Sequence, residues 1–323
     1  MNVLITGGAG FIGSYLAEEW LKKNAKVTVI DNLSTGKKEN IIHLKKNKKF
    51  HFVRASITRK KIMHDLIRKS DIIYHLAAVV GVNLVVNNPI ETIKTNVFGT
   101  SLVLELASKY KKRIFIASSS EVYGKTPSIP LEESSDRLIG PTQVSRWSYS
   151  CSKAIDEFLA LGYSRKNNLA VTITRLFNTV GPRQTSSYGM VIPRFVKQAL
   201  SNKPITVYGD GTQSRCFAYV RDVVKCLVKL SNIEGAIGEI FNVGSQEEIT
   251  IKNLAKKIKK ISKSKSKIVY IPYKEVFGVG FEDVKRRVPD VSKLKRILGF
   301  IPNTKLDIIL EEVIDYEKEQ VSL

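Results

Sequence analysis

The sequence predicts a doubly wound α/β fold with a smaller second region, and three observations predict it. Short apolar runs alternate with longer amphipathic segments. A glycine-rich turn follows directly on the first run. Near residue 178 the alternation stops, and Gly-Pro, Lys-Pro and Gly-Asp-Gly turns take over.

The apolar runs at 3–6, 27–30, 51–53, 72–76, 114–117 and 171–174 suit strands buried on both faces, as in a parallel sheet. Helical patterns at 12–22, 62–69, 91–110 and 149–164 supply the crossovers between them. Beyond 178 the patterns give helices over 191–201, Val220–Leu230 and Ile251–Ile261, a strand over Glu239–Val243, and an exposed Ser/Lys loop at 262–267. The expected organisation is a nucleotide-binding unit over 1–177, joined by about 216–244. Residues 178–215 and 245–323 then form an α+β substrate-binding region.

Composition excludes several classes. A chain of 323 residues with 43% hydrophobic content is long and apolar enough for a sizeable core. Its longest apolar stretches fall well short of the roughly 20 residues that a membrane span needs. The first strand begins at once, without a secretory leader, so a cytoplasmic protein with no membrane partner is expected. Cys151, Cys216 and Cys226 are widely separated and read as reduced structural thiols. The four histidines lack ligand spacing, and no metal is predicted. The net charge of +22 is spread over many short clusters and not gathered into one stripe interleaved with aromatics. A solvated surface that attracts small anions, with no nucleic-acid partner, is the expected consequence.

After the first strand comes Gly7-Gly8-Ala9-Gly10-Phe11-Ile12-Gly13, then a helix. Glycines there permit a tight turn and close approach of backbone to a pyrophosphate, while the free N–H groups at the helix start face the phosphates. The second strand ends at Asp31, where a carboxylate can accept from ribose hydroxyls. A 2′-phosphate would meet like charge there, so the expected cofactor is NAD.

Tyr149 and Lys153 stand one helical turn apart on a shared face. Tyr270-Ile-Pro-Tyr273-Lys274 offers similar residues, but its internal proline argues against a helix. An ammonium about 5 Å from a phenol, at an effective dielectric near 20, contributes roughly 3 kcal/mol towards the phenolate. On that arithmetic Tyr149 approaches neutrality and becomes a base for a substrate hydroxyl. The strand at 114–117 runs into Ser118-Ser119-Ser120-Glu121-Val122-Tyr123-Gly124, placing hydroxyls and a carboxylate at a strand's carboxyl end, where such sheets carry their sites.

Together with His75-Leu76-Ala77-Ala78, Asn96, Arg175-Leu176-Phe177-Asn178, Gly181-Pro182-Arg183 and Arg215-x-Phe217-x-Tyr219-Val220, these motifs span nearly the whole chain. The chain resembles the extended short-chain dehydrogenase/reductase family, specifically its nucleotide-sugar epimerases, dehydratases and decarboxylases. The resemblance implies a Rossmann-type NAD domain. Gly7, Gly10, Phe11, Ile12, Gly13, Asp31 and Asn32 would hold one end of the cofactor. Ser56, Ile57, Leu76, Ala77, Ala78 and Asn96 would contact the rest, with Tyr149 and Lys153 beside the nicotinamide ribose. Ser119 would bond the reacting sugar oxygen and Tyr149 would be the acid/base, while Ser120, Asn178, Val191, Arg215 and Arg287 would take the nucleotide sugar. The family commonly dimerises through two helices, here 91–110 and the Tyr149 helix.

Departures from the family pattern bear on the details. Ala55-Ser56-Ile57 stands where an aspartate often meets adenine. Ser120 precedes Glu121 where dehydratases carry an Asp-Glu pair, which counts against 4,6-dehydration. The leading expectation is a 4-epimerase of a UDP-hexose, working through a transient 4-keto sugar. Glu121 and the compact Arg287-Val288-Pro289-Asp290 keep UDP-glucuronate decarboxylation, or dehydration of a nucleotide-linked sugar using Glu121, as the alternative. A basic, non-catalytic nucleic-acid-binding relative is the remote one.

Overall fold

The computed structural model describes residues 1–187, 189–277 and 283–322. Seven strands form one parallel sheet: β1 (Asn2–Thr6), β2 (Lys26–Asp31), β3 (Phe50–Arg54), β4 (Ile72–His75), β5 (Arg113–Ser119), β6 (Val171–Leu176) and β7 (Glu239–Val243). Their spatial order is β7-β6-β5-β4-β1-β2-β3, so the winding reverses between β1 and β4. Ligands of open α/β sheets bind outside the strand carboxyl ends at such a reversal.

Two cores cover the sheet, and the period-2 alternation of each strand divides them. Val3 and Ile5 face one core while Leu4 faces the other, and Tyr74 and Phe115 are likewise separated from Ile73, Ile114 and Ile116. Helix α1 (Phe11–Lys22) contributes to the first core; α2 (Lys60–Lys69), α3 (Gly99–Lys109) and α4 (Trp147–Asn167) contribute to the second. The first core continues through α5 (Val191–Leu200), α6 (Val220–Leu230), α7 (Ile251–Ile261) and α8 (Leu306–Ser322). The smaller region adds short strands, among them Ser214–Cys216 between Glu248–Thr250 and Arg286–Arg287.

The helix expected over 91–110 is interrupted. Pro89–Ile93 passes into a π-helical turn at Lys94–Phe98 before α3 begins. Such a turn inserts an extra residue into the helix. Asn96, inside it, is fully buried. The 262–267 loop also differs from a simple exposed one. Its lysines point outward, but the Ser264 hydroxyl donates to the Ala199 carbonyl at 2.6 Å and Ser266 is buried. Among the described residues, no helix is long and apolar enough to cross a membrane.

Candidate active site

The glycine turn sits at the winding reversal because bulk is excluded there. A Cβ on Gly13 would lie 2.5 Å from the Gly7 carbonyl oxygen, and one on Gly7 would lie 2.8 Å from the Ala77 nitrogen. Gly10 caps α1 without any side-chain bond and no acid occupies the first turn, so the positive helix end stays available to an anion. Asp31 closes this end of the cleft. Its carboxylate accepts from the Ala9 and Leu33 N–H groups at 3.0 and 2.8 Å, which fixes its orientation. Burial nevertheless raises its pKa, against those two bonds.

One cleft of about 710 Å³ runs from this turn to the smaller region. Gly7, Gly10, Phe11, Ile12, Gly13, Asp31, Asn32, Ser56, Ile57, Leu76, Ala77 and Ala78 line its cofactor half. Ser119, Ser120, Glu121, Tyr149, Lys153, Asn178, Val191, Arg215 and Arg287 line the rest, so residues far apart in sequence meet on one surface. Asn96 alone among the expected site residues is not part of that lining. Its side chain accepts from the Val79 N–H at 2.8 Å and donates to the Ser152 hydroxyl at 3.1 Å. The π-turn thus makes it a strut that ties the loop after β4 to α4.

Tyr149 and Lys153 lie on α4, beside the carboxyl end of β5. The Ser150 hydroxyl donates to the Glu121 carbonyl at 2.6 Å, fastening the turn Ser120–Tyr123 to the catalytic helix. The Ser119 hydroxyl accepts from the Glu121 N–H at 3.2 Å and also lowers the Tyr149 pKa through a hydrogen bond. Tyr149 does not reach the neutrality that charge alone predicted. Burial raises its pKa, and the opposing pull of Lys153 does not overcome it. Among the groups around it, burial therefore keeps the phenol protonated at neutral pH.

Glu121 stands in an arginine cluster. Arg287 donates to it at 2.7 Å, and Arg146 lies 3.5 Å from both its oxygens. Burial would lift this carboxyl, but Arg287, Arg146 and Arg215 hold it well below the usual carboxylate range. Asp283 joins the cluster by accepting from Arg146 and Arg215, each at 3.0 Å, and from the Tyr273 hydroxyl at 2.7 Å. Among the described residues, one Arg287 nitrogen, Nη2, is buried without a hydrogen-bond partner.

The sequence did not single out Arg146 or Asp283, and it offered Tyr273 only within the segment set aside for its proline. Arg146 carried a usable signal, since it precedes Tyr149 by three residues and shares its helical face. Tyr273 lines the cleft, whereas Tyr270 lies on the strand Ile268–Ile271 and Lys274 on the helix Tyr273–Phe277, so those two share no helical face of the kind Tyr149 and Lys153 share.

A family model described as GDP-mannose 4,6 dehydratase matches residues 4–313. The chain belongs to the extended short-chain dehydrogenase/reductase family, in its nucleotide-sugar branch. It is an NAD-dependent enzyme that modifies nucleotide-linked sugars. The glycine turn, the uncapped helix end and Asp31 fit that cofactor.

The chain is 45% identical over 318 residues to a UDP-N-acetyl-alpha-D-glucosaminuronate decarboxylase of Bacillus cytotoxicus, covering 98% of this chain and 97% of that protein. It is 38% identical to UDP-glucuronic acid decarboxylase 6 of Arabidopsis thaliana, covering 95% of this chain and 85% of the relative. Among solved structures, a UDP-glucuronic acid 4-epimerase from Bacillus cereus, in complex with UDP-glucuronic acid and NAD, superposes with a TM-score of 0.90 at 30% identity. That match covers 99% of this chain and all (100%) of the other.

Proposed function

We propose that this enzyme is an NAD-dependent decarboxylase of a UDP-linked hexuronic acid, UDP-N-acetylglucosaminuronate or UDP-glucuronate. The observation that carries this reading is the cluster of Arg146, Arg215 and Arg287 around Glu121, beside Tyr149. Arginine forks suit both a diphosphate and a sugar carboxylate. The relatives support the same choice, because those with high identity and near-complete overlap are decarboxylases of such uronates. The 4-epimerase expected first from the sequence is less well supported than its alternative, and Glu121 is the residue that separates them.

The chemistry follows from the groups present. Tyr149, kept close to Ser119 and Lys153, takes the proton of the C4 hydroxyl. NAD, held by the glycine turn and Asp31, would supply the acceptor and later the donor of the C4 hydride. With C4 a ketone, the C6 carboxylate is β to a carbonyl. Breaking the C5–C6 bond then releases carbon dioxide and leaves its electron pair as an enolate at C4 and C5. Ser119 and Tyr149 bond the enolate oxygen, and Arg287 and Arg146 orient the carboxylate with its bond across the carbonyl plane. A proton from solvent is delivered to C5, and as the hydride returns to C4, Tyr149 gives its proton back to the C4 oxygen, so the net change consumes one proton and replaces carboxylate by hydrogen.

A UDP-uronate 4-epimerase is the second reading, favoured by the Bacillus cereus superposition. Incubating the purified protein and NAD with UDP-N-acetylglucosaminuronate, UDP-glucuronate and UDP-glucose, with products followed by mass spectrometry and NMR, separates the two. Loss of carbon dioxide from a uronate is expected. An isobaric C4 epimer as the only product would replace this reading with the epimerase.

The protein is further proposed to form a homodimer through the helix pair that the family resemblance indicated. Ile90 and Phe98 on one side, with Ile155 and Phe158 of α4 on the other, are large apolar side chains left exposed.

A further inference from the structure

Asp156 is fully buried one turn after Lys153 on α4, and nothing in the proposed chemistry uses it. Its Oδ2 accepts from the Lys153 ammonium at 3.1 Å, and the two side chains are 0% and 3% exposed. We propose that Asp156 is a positioning residue, the buried counterion that keeps Lys153 charged and thereby sets the upper pH limit of turnover. This rests on the reading of Tyr149 and Lys153 as the reacting pair.

A lone ammonium out of water sheds its proton readily, because burial penalises the charged form. Burial pushes Lys153 down in this way, yet Asp156, with help from Tyr149 and Glu157, lifts it above the ordinary lysine value. The other groups that face the pair are already committed or neutral. His75, on β4, is brought down to about 3 by burial and by Lys153, and it is held between the hydroxyls of Thr6 and Thr100 at 2.8 and 3.1 Å. Thr100 faces Asp156 from α3 as an uncharged partner. Glu157 pairs with Arg175 at 2.8 Å and accepts from the Ser118 hydroxyl at 2.5 Å. Glu121 reaches Tyr149 electrostatically but is held by Arg287 and Arg146. Among the described residues, Asp156 is therefore the carboxylate left to Lys153. Burial also lifts the Asp156 carboxyl, and Lys153 opposes that rise. Each charge is the main support of the other.

The sign of the effect follows. With Asp156→Asn the ammonium loses the partner that raises it, so its proton leaves at lower pH and Tyr149 loses the cation beside it. The alkaline limb of kcat/KM should move down by about one pH unit or more, with the acid limb in place, and Asp156→Glu should recover part of the shift. A merely structural role for Asp156 would lower the whole profile without moving its limb.

The experiment has two arms. The first measures kcat/KM against pH for wild type, D156N and D156E on whichever UDP-uronate is turned over. The second, which needs no substrate, follows thermal unfolding of wild type, K153M and K153M/D156N from about pH 5 to about pH 9. Expected are the shifted alkaline limb, a K153M protein that loses stability as pH rises and Asp156 ionises alone, and a double variant that melts above K153M. An unmoved alkaline limb in D156N, or a double variant no more stable than K153M, overturns the proposal. Should D156N fail to fold, the double variant decides. Should no uronate be turned over, the decarboxylase reading fails while the unfolding arm still tests the pair.

Discussion

The two halves of the cleft are built in opposite ways. The cofactor half is backbone and steric exclusion: Gly7 and Gly13 leave no room for a Cβ, α1 presents an uncapped end, and one carboxylate, Asp31, is fixed by two N–H groups. The sugar half is side-chain charge, with Glu121 and Asp283 set among Arg146, Arg215 and Arg287. The first half can serve any reaction that borrows a hydride. On the proposed reading the second decides which sugar is held and what leaves it, so substitutions in the two halves should fail differently.

The largest effect is expected where the halves meet. Tyr149→Phe should lower turnover by about 10³-fold while NAD affinity, measured by fluorescence titration, stays within about twofold. A parallel loss of NAD binding would move Tyr149 out of its acid/base role. Next comes Glu121→Gln, which takes away the charge that positions Arg287 and Arg146 and is expected to slow carbon dioxide release by about 10²-fold with the glycine turn untouched. Because the arginines depress the Glu121 pKa, the carboxylate is ionised throughout the neutral range. Its contribution is present above the ordinary glutamate range and is lost only as pH falls through the depressed value. A turnover profile with a Glu121-dependent limb between about pH 6 and about pH 8 would contradict this.

In the cofactor half, Gly13→Ala drives a methyl into the Gly7 carbonyl. Overpacking of this kind costs about 1–3 kcal/mol, to be read as a lower Tm and at least about tenfold weaker NAD binding. The smallest catalytic consequence belongs to the outer face of α4. Phe158→Glu should convert a dimer to a monomer in sedimentation experiments, and a wild-type protein that sediments as a monomer would remove that part of the account.

The contrast also explains what was legible in the sequence. The cofactor half is local: turn, helix start and strand-end acid follow within one strand-helix-strand unit, and their spacing alone places them. Apolar runs mark six of the seven sheet strands, with helical patterns in every connection between them except that from β2 to β3, where the structure has only short 3-10 turns, and the seventh, Glu239–Val243, reads as a strand after the helix Val220–Leu230. The π-turn at Lys94–Phe98 was hidden, because one extra residue in a helix leaves the apolar pattern nearly intact. The sugar half is non-local. Asp283 meets Arg146 across 137 residues of chain, and no spacing rule connects them. The resting state of Tyr149 was misjudged for a related reason. Charge can be counted from residue types, whereas the burial that outweighs it depends on packing from distant segments.

The central claim is that the arginine cluster reads a sugar carboxylate. It is tested most directly by calorimetric affinities of the NAD-loaded wild type and Arg287→Met for UDP-glucuronate and for UDP-glucose, which differ at C6 alone. Wild type should prefer the uronate by about tenfold or more, and Arg287→Met should bind the two nearly equally. Equal affinities in the wild type, or a preference that survives the substitution, would contradict the account.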